Sequence, residues 1–113
     1  MDADSRCFRV ALVAGELLNA PGGDVDAMAV LEQEEWGAIQ LPAADYPDEV
    51  AAPLLEQVAE QVEEFARHGY TLAVIRGRPG LDEALARVGV AAPPAFDPET
   101  ADDLRAFLAA SCR

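Results

Sequence analysis

FRVALVA, Phe8 to Ala14, is an apolar run interrupted by one arginine. A strand with one wet face alternates apolar and polar residues, whereas a strand covered on both faces reads as a near-continuous apolar run. The stretch therefore predicts a buried strand of a parallel sheet. GELLNAPGG follows, a connection with Gly15, Pro21, Gly22 and Gly23 as breakers. Asp24 then stands where a helix N-cap is wanted, before VDAMAVLEQEE, in which Val25, Met28 and Leu31 or Ala29 give an apolar stripe. WGAIQL, Trp36 to Leu41, reads as a second strand. Its Gly37 and Gln40 make it less uniformly apolar, as expected nearer a sheet edge.

PAADYPDEVAAP leads into the longest predicted helix. Val50, Leu54 or Leu55, Val58, Val62 and Phe65 recur at helical spacing, and Glu56, Glu60, Glu63 and Glu64 take other faces. Arg67, His68 and Gly69 mark its end, two cations at the negative pole and a C-cap glycine. Pro53 is expected either to open this helix or to kink it. YTLAVI is the third strand, and RGRPG turns into LDEALARVG, a short helix ended by Gly89. VAAPPAFDP is extended, with room for a short fourth strand around Val88 to Ala92, and PETADDLRAFLAA closes as a helix with Leu104, Phe107 and Leu108 on its apolar face.

Alternating strands and helices at this spacing imply βαβ units around a parallel sheet covered on both faces. Right-handed crossovers, with the two most apolar strands placed centrally, give strand order 2-1-3 or 2-1-3-4. The expected fold is a small α/β three-layer sandwich, flavodoxin-like or Rossmann-like. Residues 1–113 suit one domain, with residues 1–6 as a disordered tail.

The chain holds 21 acidic and 8 basic residues, for a net charge of −13. That balance argues against nucleic acid and anionic membranes as partners. All eight basic residues are arginines. Together with abundant alanine this looks like the codon bias of a GC-rich genome, so only the placement of each arginine is informative. No apolar run approaches the ~20 residues of a membrane helix, and the acidic start MDADSR lacks the basic region of a signal peptide. A cytoplasmic protein is expected. Cys7 and Cys112 lie near opposite ends and read as free thiols, and two cysteines with one histidine fall short of a four-ligand zinc site.

The inventory excludes several chemistries. Ser5 and Ser111 are the only serines, and neither sits in a G-x-S-x-G elbow. His68, at the end of the long helix, belongs at the amino edge of the strands, away from the usual site face, and serves as a helix-end cation. No phosphate-loop or dinucleotide fingerprint occurs, and a receiver-type site would need a lysine that the chain lacks. No cofactor or metal is called for. Asp24 and Asp26 could seat a hard cation, but helix capping accounts for Asp24 without one.

Two surfaces remain. In a parallel sheet, ligands bind beyond the carboxyl ends of the strands, where the strand order reverses. The loops there carry Glu16, Asn19, Asp24, Asp45, Tyr46, Arg76 and Arg78, with backbone amides from Gly22, Gly23 and Gly77. Arg76 and Arg78 either grip a carboxylate or phosphate, or pin the loops by pairing with Asp24, Asp45 or Glu16. The second surface is apolar. Leu54 and Leu55 are adjacent and cannot both face one core, Leu17 and Leu18 are a second such pair in a loop, and the long helix should overhang the sheet. The leading expectation is a non-enzymatic binding or accessory module that associates with a protein partner or with itself as a dimer. The alternative is a domain binding a small anion through Arg76 and Arg78, with or without catalysis by Glu16 or Asp45.

Overall fold

The computed structural model describes residues 9–18, 25–43, 45–69 and 71–111. Its elements are β1 (Arg9–Ala14), α1 (Gly15–Leu18), α2 (Ala27–Gln33), β2 (Gly37–Leu41), α3 (Asp48–Arg67), β3 (Thr71–Ile75), α4 (Leu81–Arg87) and α5 (Ala101–Ser111). The sheet has the order β2-β1-β3, and both pairings are parallel. Leu12 lies opposite Ile39 on one side and Val74 on the other. The chain is thus the small α/β sandwich, of flavodoxin-like or Rossmann-like type, that the alternation of strands and helices implies.

Period-2 geometry divides the core in two. Ala11, Val13, Ala73 and Ile75 point to one face and pack with α1, α2 and α5 through Leu17, Val30, Leu31, Leu104 and Leu108. Leu12, Leu41 and Val74 point to the other and pack with α3 and α4 through Leu55, Val58, Val62, Leu81 and Leu85. Every residue of β1 after Arg9 is buried, which is why that strand could not be written with alternating polar residues.

Several local expectations are corrected. Leu17 and Leu18 are not exposed loop leucines: a helical turn, α1, buries both, at 6 % and 7 % exposure, against the α2–α5 core. The N-cap of α2 is Asp26, whose carboxylate accepts from the Ala29 amide at 3.2 Å. Asp24 lies outside the described residues. The buried face of α2 is Ala27, Val30 and Leu31, and Met28 points outward. On α3 the buried residues are Ala51, Leu55, Val58, Ala59 and Val62, so Val50 and Leu54 leave the core face. The buried stripe runs through Ala51, Leu55, Val58 with Ala59, and Val62, one position on from Val50 and Leu54. Pro53 does not open α3: it lies inside the helix, which begins at Asp48. The last buried residue is Val62 although the helix continues to Arg67, so its C-terminal end overhangs the sheet.

The two edges of the sheet are treated differently. No fourth strand forms at 88–92. Instead Phe96 makes a single parallel bridge to Ile75, donating to the Val74 carbonyl at 2.9 Å and accepting from the Arg76 amide at 2.7 Å. Pro93 and Pro94, just before it, have no N–H to donate, which limits the pairing to one residue. This covers part of the outer edge of β3. β2 has β1 on one side, and no described strand pairs with its other side. No helix among the described residues is long and apolar enough to cross a membrane. Residues 1–6, expected to be a disordered tail, and Cys7 and Cys112, expected to be free thiols, lie outside the described residues.

Gly15 sits where β1 passes into α1 against the end of β2. A Cβ there would meet the Leu41 carbonyl oxygen at 2.9 Å, a backbone atom that cannot swing aside. Gly15→Ala is expected to lower the unfolding free energy by about 1–3 kcal/mol, the usual range for overpacking, read by urea denaturation. An unchanged midpoint would contradict this close approach.

Candidate functional site

The loop after β3, RGRPG, carries two left-handed residues, Arg76 at φ 48° and Gly80 at φ 94°. They turn the chain sharply into α4 and send the two arginines apart. Arg76 Nε donates to Asp97 Oδ1 at 2.8 Å, towards the Phe96 bridge outside β3. Arg78 runs the opposite way. Its Nη1 donates to the Ala43 carbonyl and its Nη2 to the Tyr46 carbonyl at 3.1 Å, both in the loop after β2. Asp48 Oδ1 lies 3.8 Å from the same Nη2. This side chain therefore ties the loop after β3 to the loop after β2, the strands that flank β1 on its two sides.

The side chain of Arg78 is only 5 % exposed, and its Nε is buried without a hydrogen-bond partner among the described residues. A guanidinium held this way is a brace whose donors are turned to backbone oxygens. The expected pinning is present, with other partners than expected. Neither arginine pairs with Asp45 or Glu16 among the described residues: Arg78 takes carbonyls and Arg76 takes Asp97. Glu16 and Asp45 are exposed. Gly77 is held close to Val74 and Ala95. Asn19, Gly22, Gly23 and Asp24 lie outside the described residues. Arg78 also lines a groove of about 320 Å³ between α3 and α4, with Ala51, Leu55, Gly80, Ala84 and Arg87 along it.

A second surface lies on the far side of α3, beside the open edge of β2. Its groove, about 280 Å³, is lined by Ile39 and Gln40 of β2, Tyr46 of the following loop, and Leu54, Gln57 and Gln61 of α3. Among the described residues no carboxylate, arginine or histidine lines it. Val50 extends the same α3 stripe, since positions 50, 54, 57 and 61 fall on one helical face. The residues of α3 that line the α3–α4 groove, Asp48, Ala51, Ala52 and Leu55, belong to another side, so the uncharged stripe faces the β2 edge and not α4. Of the four large apolar side chains exposed among the described residues, three sit here: Tyr46 at 43 %, Val50 at 46 % and Leu54 at 36 %.

Of the four leucines proposed for an interface, Leu54 alone is exposed; Leu55 is core, as the adjacency of that pair requires. The sequence reading passed over Ile39, Gln40, Val50, Gln57 and Gln61. Their signal was a run of uncharged residues at i, i+4, i+7 and i+11 on a helix otherwise dense in glutamate. No group of His, Cys, Asp and Glu among the described residues is placed to hold a metal ion. Compared with models of protein families, with curated proteins and with solved structures, the chain matches none.

The contrast between the arginines is testable by chemical denaturation. Arg78→Ala removes two charge-assisted hydrogen bonds and strands two carbonyls, with an expected loss of about 2–3 kcal/mol. Arg76→Ala removes a partly exposed ion pair, with an expected loss below about 1 kcal/mol. Equal losses would refute the bracing role of Arg78.

Proposed function

We propose that the protein is a non-enzymatic binding or accessory module that acts by protein association, docking through the open edge of β2 and the uncharged stripe of α3. The observation that carries this reading is the groove between them, whose described lining holds no carboxylate and no cation in a chain of net charge −13. A solvated surface on such a chain has no need to exclude carboxylates over one strip. A contact surface does, because a buried unpaired charge is costly. Three further features support it. The strip gathers most of the exposed large apolar side chains. It adjoins a strand whose outer backbone groups have no described partner. Aromatic and aliphatic anchors framed by neutral polar groups are how protein interfaces are built.

An anion grip by Arg76 and Arg78 has less support. Their guanidiniums point to different partners, and the Nη1 and Nη2 groups of Arg78 donate to backbone carbonyls.

Site-specific photo-crosslinking in the producing cell tests the docking surface. A benzophenone side chain at Leu54 or Gln57 is expected to give a discrete adduct, and one at Met28, exposed on the other layer, is expected to give none. No adduct at positions 54 and 57 would overturn the reading.

A further inference from the structure

We infer that the occupant of this surface is a second copy of the chain, joined by antiparallel pairing of β2 with β2 across a two-fold axis, so that two three-stranded sheets become one of six strands. The inference rests on the association reading above and names its partner.

Charge comes first. Two copies of a −13 chain repel wherever carboxylates face one another, and they can approach closely only along a surface without them. The β2–α3 groove is such a surface. A different partner, suited to an acidic protein, would carry basic residues and would dock on carboxylates, which this strip lacks.

Self-complementarity comes second. In a two-fold interface each patch meets its own copy, so every residue must suit a residue of its own kind. Ile39 and Leu54 can pack on their counterparts. Gln57 and Gln61 carry both a donor and an acceptor, so an amide can pair with its own copy, which neither a glutamate nor an arginine can do. Full overlap of Gly37–Leu41 with itself places Gly37 opposite Leu41, Ala38 opposite Gln40, and Ile39 opposite Ile39 on the axis.

Geometry comes third. Edge-to-edge antiparallel pairing about an axis normal to the sheet keeps each face on its own side. Ile39 packs towards the α3 layer, so the two α3 helices share one face, antiparallel, with Val50, Leu54, Gln57 and Gln61 turned to each other. The groove left open between α3 and β2 in one chain is the space the partner's stripe fills. β2 also lacks the devices that keep an edge from pairing, having no lysine, no proline and no charged side chain within its five residues.

Sedimentation velocity on the purified full chain tests this over a concentration series at low and high salt. The expected result is a monomer–dimer equilibrium that tightens as salt rises, because salt screens repulsion between like-charged chains. Gln57→Glu and Leu54→Glu alter exposed side chains and should leave the fold intact by circular dichroism. Each is expected to weaken the dimer about tenfold or more at low salt, whereas Met28→Glu leaves it unchanged. In a chain with Cys7→Ser and Cys112→Ser, Ile39→Cys is expected to cross-link to its own copy on mild oxidation. A monomer at all concentrations and salts overturns the second copy as occupant. So does a dimer indifferent to Gln57→Glu and Leu54→Glu. In either case a photo-adduct at position 54 to a chain of another mass would still uphold association with a different partner, and its absence would remove both readings.

Discussion

The structure depends on the requirement that β1 be covered on all four sides. Residues 10–14 carry no polar side chain, so neither face of the strand can be left to water. Its backbone is bonded on both edges, to β2 and to β3. Helices are therefore needed on both faces: α1, α2 and α5 on one, α3 and α4 on the other. Parallel pairing needs crossovers long enough to hold those helices, and right-handed crossovers return the chain to opposite sides of β1. The order β2-β1-β3 follows.

Satisfying β1 leaves two edges to settle elsewhere. The edge of β3 is partly closed within the chain by Phe96, steadied by its stack on Phe107 at 4.3 Å. Arg76 and Asp97 fasten the same corner. Arg78 fastens the opposite one, from the loop after β3 to the loop after β2. The loop after β3 is thereby tied both to the Phe96 corner and to the loop after β2. Among the described residues the edge of β2 gets no comparable treatment, and it is the edge to which the proposed association is assigned.

The sequence made the architecture legible because burial on both faces leaves an unmistakable apolar run, and because Pro47 and Gly69 bracket α3. It made the site legible only in part. Arg78 holds carbonyl oxygens, which every residue has, so no spacing of side chains announces the contact. The sequence instead offers carboxylates as partners, and Glu16 and Asp45 proved to stand clear among the described residues. The uncharged stripe was obscured because its large residues repeat at the same spacing as the core. Val50 and Leu54 look like core residues, yet the buried positions lie one step on, at Ala51 and Leu55. Leu17 and Leu18 err the other way, since the breakers around them suggest a loop where the chain makes one helical turn and buries both.

If the open edge of β2 is where the molecule makes its contacts, its own amides will report it. Amide hydrogen exchange resolved over Gly37–Leu41, recorded from dilute to concentrated solution, gives the most direct reading. Protection of the β2 amides that point away from β1 should grow with concentration, while that of the β2 amides facing β1 and of β1 itself, already bonded, stays constant. Outward-pointing β2 amides that exchange fast at every concentration would contradict pairing of this edge with a second copy.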